Sequence, residues 1–137
     1  NGANRGSTNT LTTTGINNTF ERTLTAAHSN ITTIAEFATA NHTSESAIDL
    51  NDVRYIRVTN LDDAEELIVG IITTGSTNYQ VRLTSGASHI LYHGENVAVA
   101  EADGDPAMSS MTNDLSAIEV QPVSSTNVQV ELFIASV

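Results

Sequence analysis

A chain of 137 residues with a net charge of −11, no lysine and only five arginines lacks the clustered cations that nucleic-acid phosphates require. The same charge disfavours anionic membrane surfaces, and no apolar run approaches the ~20 residues of a spanning helix. Without cysteine there are neither disulfides nor thiolate metal sites. With 39% apolar and 4% aromatic residues, the core must come mainly from Val, Ile, Leu and Ala.

The length fits one domain. Charged residues make up 15%, well below the usual ~25%, so solubility rests on hydroxyls, amides and an excess of one sign of charge. The first residue is Asn1 rather than Met, which leads us to expect either processing or a start within a longer product.

Residues 1–18 are a Gly/Asn/Thr stretch with only Leu11 and Ile16 to bury. Such a composition predicts an extended polar arm, which we expect a neighbouring chain to hold. From residue 19 to 137 strand signals recur at the spacing of an all-β sandwich. Phe20, Arg22 and Leu24 alternate with Glu21 and Thr23. In Ile31 to Phe37 the apolar positions Ile31, Ile34, Ala35 and Ala38 suit a helical face behind an Asn30 cap. The threonines and the short length favour a strand. Val53 to Thr59 is a strand reaching the acidic turn 60–65, and Glu66 to Thr73 is apolar on both faces, as in a central strand or one set against a partner.

A turn at 75–78 follows, then a strand in which Tyr79, Val81 and Leu83 point inward. Ser85-Gly86-Ala87 breaks the chain before a strand from Ser88 to Tyr92, and Val97 to Ala100 is shorter. Residues 101–114 form a long irregular loop of the kind that makes contacts. The C-terminus reads as a hairpin, Ile118 to Val123 and Val128 to Ala135 around Ser124–Asn127. In its last strand Val128, Val130, Leu132 and Ile134 share one face, and Gln129, Glu131 and Phe133 the other. About nine strands without βαβ alternation predict a two-sheet antiparallel β-sandwich, jelly-roll-like, preceded by the arm.

Chemistry is sparse. Gly86-Ala87-Ser88 approaches the nucleophile elbow of serine hydrolases but lacks the closing Gly and the following helix, so a turn entering a strand explains it. His89 and His93 have the spacing of a helical zinc pair. On a strand that spacing spans about 13 Å, too far for one metal. His28 and His42 sit in polar loops without a partner. The acidic groups at 62–66 and 101–105 offer calcium oxygens without EF-hand spacing, and solvated turn charge accounts for them. Sequons at Asn17, Asn30 and Asn41 carry little weight in a chain so rich in Asn, Ser and Thr. Paired carboxylates would serve a glycosidase, whose clefts are rich in aromatics that this chain lacks. No catalytic, cofactor-binding or metal-binding residue is therefore assigned, and no enzymatic activity is expected. Phe133 interrupts the polar face of the last strand, and Ile68 and Ile72 flank Gly70. These positions mark either a second buried face or a contact surface.

The segments Arg54–Leu61, Leu67–Ile71 and Tyr79–Leu91, closed by Ser116–Val137, resemble in rhythm the small virion proteins of tailed bacteriophages, marine ones especially. The likeness covers about the last two-thirds of the chain and excludes the arm. It implies an accessory subunit of a particle, such as a capsid decoration or cement protein or a minor tail component. It carries no catalytic or ligand motif. The expected role is thus a non-enzymatic structural subunit located in the virion, binding the major capsid protein or neighbouring copies of itself as a homo-oligomer, with no nucleic acid and no membrane. Contacts are expected at residues 1–18, at Glu101–Asp114 and at Phe133. The alternative is a carbohydrate-binding or adhesin-like β-sandwich module.

Overall fold

Alternating aliphatic side chains give each strand one face that must leave water, and two sheets satisfy that demand mutually. The computed structural model describes residues 10, 12–38, 47–75, 78–92 and 113–137, in which nine strands form two packed sheets. They are β1 (Asn18–Ala26), β2 (Thr32–Ala38), β3 (Ile48–Asp49), β4 (Val53–Asn60), β5 (Leu67–Thr73), β6 (Tyr79–Leu83), β7 (Ser88–Leu91), β8 (Leu115–Pro122) and β9 (Val128–Ser136). One sheet runs β1-β9-β4-β7 and the other β3-β2-β8-β5-β6. All pairings are antiparallel except the short β2–β3 pair.

Setting aside the two-residue β3, each sheet interleaves strands from both halves of the chain, β1 beside β9 in one and β2 beside β8 in the other. That nesting is a jelly roll. Its core is aliphatic: Val128, Val130, Leu132 and Ile134 of β9 and Ile56 and Val58 of β4 face Leu67, Val69 and Ile71 of β5 and Ile118 and Val120 of β8. Phe37 is the one aromatic side chain among the buried residues.

The ambiguous period of Ile31–Phe37 has a local cause. β2 carries a bulge between Thr33 and Ala35 where it pairs with β8. The extra residue lets both Ile34 and Ala35 be buried, a spacing that mimics a helical face.

The predicted C-terminal hairpin is not formed. β8 and β9 lie in different sheets, each already flanked on both edges, β8 by β2 and β5 and β9 by β1 and β4. They pack face to face, and Ser124–Asn127 crosses between the sheets. The Asn127 Oδ1 accepts the His28 backbone N–H at 3.0 Å, and the Ser124 Oγ accepts from Thr126 N at 3.1 Å. A hairpin and a sheet-crossing arch share the same alternation and the same polar link, which is why the sequence reads as either. The predicted strand 97–100 and residues 1–9, 11 and 101–112 of the predicted contact segments lie outside the described residues. At the arm's inner end, Asn17 N donates to Ser136 O at 3.1 Å, within its own domain.

The crossover from β4 to β5 is held by one buried amide. Asn60 is fully buried; its Nδ2 donates to Glu65 O (2.8 Å) and Leu83 O (3.3 Å), and its Oδ1 accepts from Asp62 N (3.0 Å). Its backbone N–H donates to Ala87 O (2.9 Å), so one residue joins the β4–β5 and β6–β7 links. Replacing Asn60 with Ala leaves the buried Leu83 carbonyl without this donor, at about 1–3 kcal/mol, and the partly buried Glu65 carbonyl and Asp62 N–H without their partner at a smaller cost. Chemical denaturation of Asn60→Ala should therefore show a lower midpoint with an unchanged slope, a loss of stability of about 2 kcal/mol or more. An unaltered midpoint would mean that water replaces the amide without cost.

Candidate interaction surfaces

Strand parity decides what the outer face of the four-stranded sheet presents. Register places Glu21 opposite Phe133, Phe133 opposite Arg57, and Arg57 opposite Ile90, a row across all four strands. Beside it Tyr55 is opposite Ala135. Within this row the Arg57 guanidinium lies 5.4 Å from the Phe133 ring centroid, and Tyr55 meets Phe133 edge to face at 6.0 Å. The Arg57 Nη2 donates to Glu131 Oε1 at 2.6 Å. That bond holds the arginine pKa above its ordinary value, against a smaller opposing effect of burial.

Each contact is modest: a partly exposed ion pair contributes up to about 1 kcal/mol, a cation–π contact about 0.5–1, and an edge-to-face pair about 0.5–1.5. Together they hold an arginine and two aromatic rings in one arrangement, with Ile90 (51% exposed) alongside. The Arg57 Nε is buried and has no acceptor among the described residues. The outer face of this sheet thus presents aromatic and arginine side chains held in one arrangement, the residue types enriched at interface centres.

Phe133, expected as a contact, stands at the centre of this patch. Tyr55, Arg57 and Ile90 were not singled out by sequence reasoning. The signal was present in Val53–Thr59, whose alternation puts Tyr55, Arg57 and Thr59 on one face. Ile68 and Ile72 are half-buried on the outer face of the five-stranded sheet, on either side of Gly70. There Ile31 (62% exposed), Ile68, Gly70, Gln80 and Glu119 line a dimple of about 40 Å³. β5 is an interior strand of its sheet, one of the two settings its sequence allowed.

The remaining candidates have structural settings. Gly86 takes a left-handed φ of +69° in the turn closed by Ala87 N donating to Thr84 O, and Ser88 opens strand β7 rather than a helix. Asp62 Oδ1 accepts the backbone N–H groups of Ala64 (3.0 Å) and Glu65 (2.9 Å), which lowers its pKa and makes the acidic group an Asx turn. No group of three or more His, Asp or Glu able to hold a metal occurs among the described residues. The second acidic group, His42 and His93 lie outside them. His28 is exposed against Asn127. A cleft of about 310 Å³ opens beside β1, lined by Phe20, Arg22, Ile34, Ala35, Glu36 and Ile48. Its lining brings together one cation and one carboxylate and no histidine.

His89 faces inward from β7, and its Nε2 lies 3.2 Å from the Tyr79 hydroxyl of β6, the rings edge to face at 6.0 Å. This pair bridges the two sheets at one side of the sandwich. Burial lowers the His89 pKa and raises that of Tyr79, so both are held neutral.

No family model matches the chain, and no curated protein or solved structure matches it either.

Because the folded His89 binds its proton less readily than the unfolded chain, stability should fall with acidification. The loss begins as pH drops past the ordinary value of about 6.5 and levels off below the lowered folded value. Denaturation midpoints measured from pH 7.5 to 5 should show this decline, and His89→Gln should flatten it. An equal decline in the variant would assign the effect elsewhere.

Proposed function

We propose that the chain is a non-enzymatic structural subunit of a virion, a capsid decoration or cement protein that docks on neighbouring virion proteins through the outer face of its four-stranded sheet. The observation that carries this reading is the Tyr55–Phe133–Arg57–Ile90 patch. Tyr, Phe and Arg are the residues enriched at interface centres, where a few such anchors supply most of the binding energy.

Three further observations support it. Jelly rolls recur in viral capsid and lectin domains, which is an analogy of fold. The acidic charge keeps particles mutually repulsive. On a symmetric lattice many copies act together, so a patch worth only a few kcal/mol per copy suffices. The rhythm shared with small phage virion proteins points to the same class.

The chain should be recovered with gradient-purified virions in a fixed ratio to the capsid protein, and should rebind particles stripped of it. Phe133→Glu, with a denaturation midpoint close to that of the parent, should lower particle affinity roughly tenfold or more, the loss of one anchor of about 1.4 kcal/mol. Absence from purified virions, or glycan binding without particle binding, would overturn the proposal in favour of an adhesin-like module.

A further inference from the structure

The two sheets have four outer strands among the described residues: β1 and β7 in one, β3 and β6 in the other. An open edge displays unpaired N–H and C=O groups, and proteins blunt it by shortness, charged side chains, proline, a bulge or a charge pointing inward. Three of these edges are short, with four residues in β7, two in β3 and five in β6. β1 differs, with nine residues that pair with β9 without interruption from Asn18↔Ser136 to Ala26↔Val128. It contains no proline, no lysine and no bulge, and its only charges are Glu21 on the outer face and Arg22 on the core-facing side, opposite Leu132.

The core-facing side of β1 is also unfinished. Phe20 points to the same face as Ile134 and is still 43% exposed, and Arg22 beside it is exposed as well. Both line the 310 Å³ cleft together with Ile34, Ala35 and Ile48 of the facing sheet. Among the described residues, no strand covers this apolar lining beyond β1. In a chain of net charge −11, β1 carries one Glu and one Arg and is neutral. Two copies that repel one another elsewhere can meet here without that penalty.

We infer that a second copy of this chain occupies the β1 edge, its own β1 pairing antiparallel across a two-fold axis normal to the sheet, so that the two four-stranded sheets continue as one. The inference rests on the assembly reading above for its biological setting and specifies one contact within it.

The charges select a register. A two-fold axis normal to the sheet sets residues of like facing opposite one another. Centring it on Glu21 or Arg22 places each against its own counterpart, and like charges directly opposite are destabilising. Centring it on Phe20 or Leu24 shortens the overlap. Centring it on Thr23 pairs residues 20–26 with the same residues of the other copy and sets Thr23 against its counterpart. Glu21 then lies opposite Thr25 of the partner subunit, and Phe20 opposite Ala26 of the partner subunit. A facing Thr pair is itself favourable on a sheet.

The absence of cysteine makes this register directly measurable. Directly opposed residues have Cα atoms about 4.5–5.5 Å apart, within disulfide reach. In the full chain, Thr23→Cys should cross-link to a dimer under mild oxidation, roughly tenfold or more faster than Ser125→Cys in the exposed link between β8 and β9, because pairing raises the effective concentration. Sedimentation of the unmodified chain should show a dimer that dissociates on dilution. Thr23→Glu, which places two carboxylates face to face on the outer surface, should give a monomer with an unchanged denaturation midpoint. A chain that sediments as a monomer at every concentration, or equal cross-linking of Thr23→Cys and Ser125→Cys, overturns the inference. A particle-bound monomer would remove this contact and leave the virion reading standing. A β1-linked dimer absent from virions would do the reverse.

Discussion

The register of β9 between β1 and β4 is the constraint from which the rest of the molecule follows. On its inner face Val128, Val130, Leu132 and Ile134 are at most 2% exposed and form the middle of the core. On its outer face the same strand holds Glu131 and Phe133 against Arg57 and Tyr55. A slip of one residue would turn Glu131 and Phe133 inward and expose the aliphatic row. Burying a large aliphatic side chain stabilises by about 1.5–3 kcal/mol, so a slip forfeits several such terms at once. The outer patch is thereby fixed by the core beneath it.

That coupling also explains what the sequence disclosed. Alternation in Val53–Thr59, Tyr79–Leu83 and Val128–Ile134 was legible because each strand has one dry face and one wet face. The bulge at Ile34 was legible only as an ambiguity of period. The pairing of β8 was misjudged because alternation reports which face is buried and says nothing about which strand lies alongside. Ser124–Asn127 would link a hairpin as readily as it links two sheets. β3 escaped notice because two residues carry no period.

The candidate surface was legible in part for the same reason. Phe133 stands out as an apolar residue in a polar row, whereas Tyr55 and Arg57 are ordinary on an outer face until register brings them beside it. Asn60 was hidden more completely, since its bonds to Asp62 and Glu65 look like an ordinary turn and the partner that makes it a buried tie, Leu83, is 23 residues away. Its burial shows how a chain short of aromatic residues secures a sheet crossing, with hydrogen bonds where apolar bulk is lacking.

The proposed docking role rests on the ordered aromatic–arginine patch of the four-stranded sheet. Hydroxyl-radical footprinting of the full chain, free and bound to particles, tests that claim at the side chains concerned. The account predicts that labelling of Tyr55 and Phe133 falls on binding while that of Tyr79, on the inner face of β6, stays as it was. Unchanged labelling of Tyr55 and Phe133 on bound particles would contradict it.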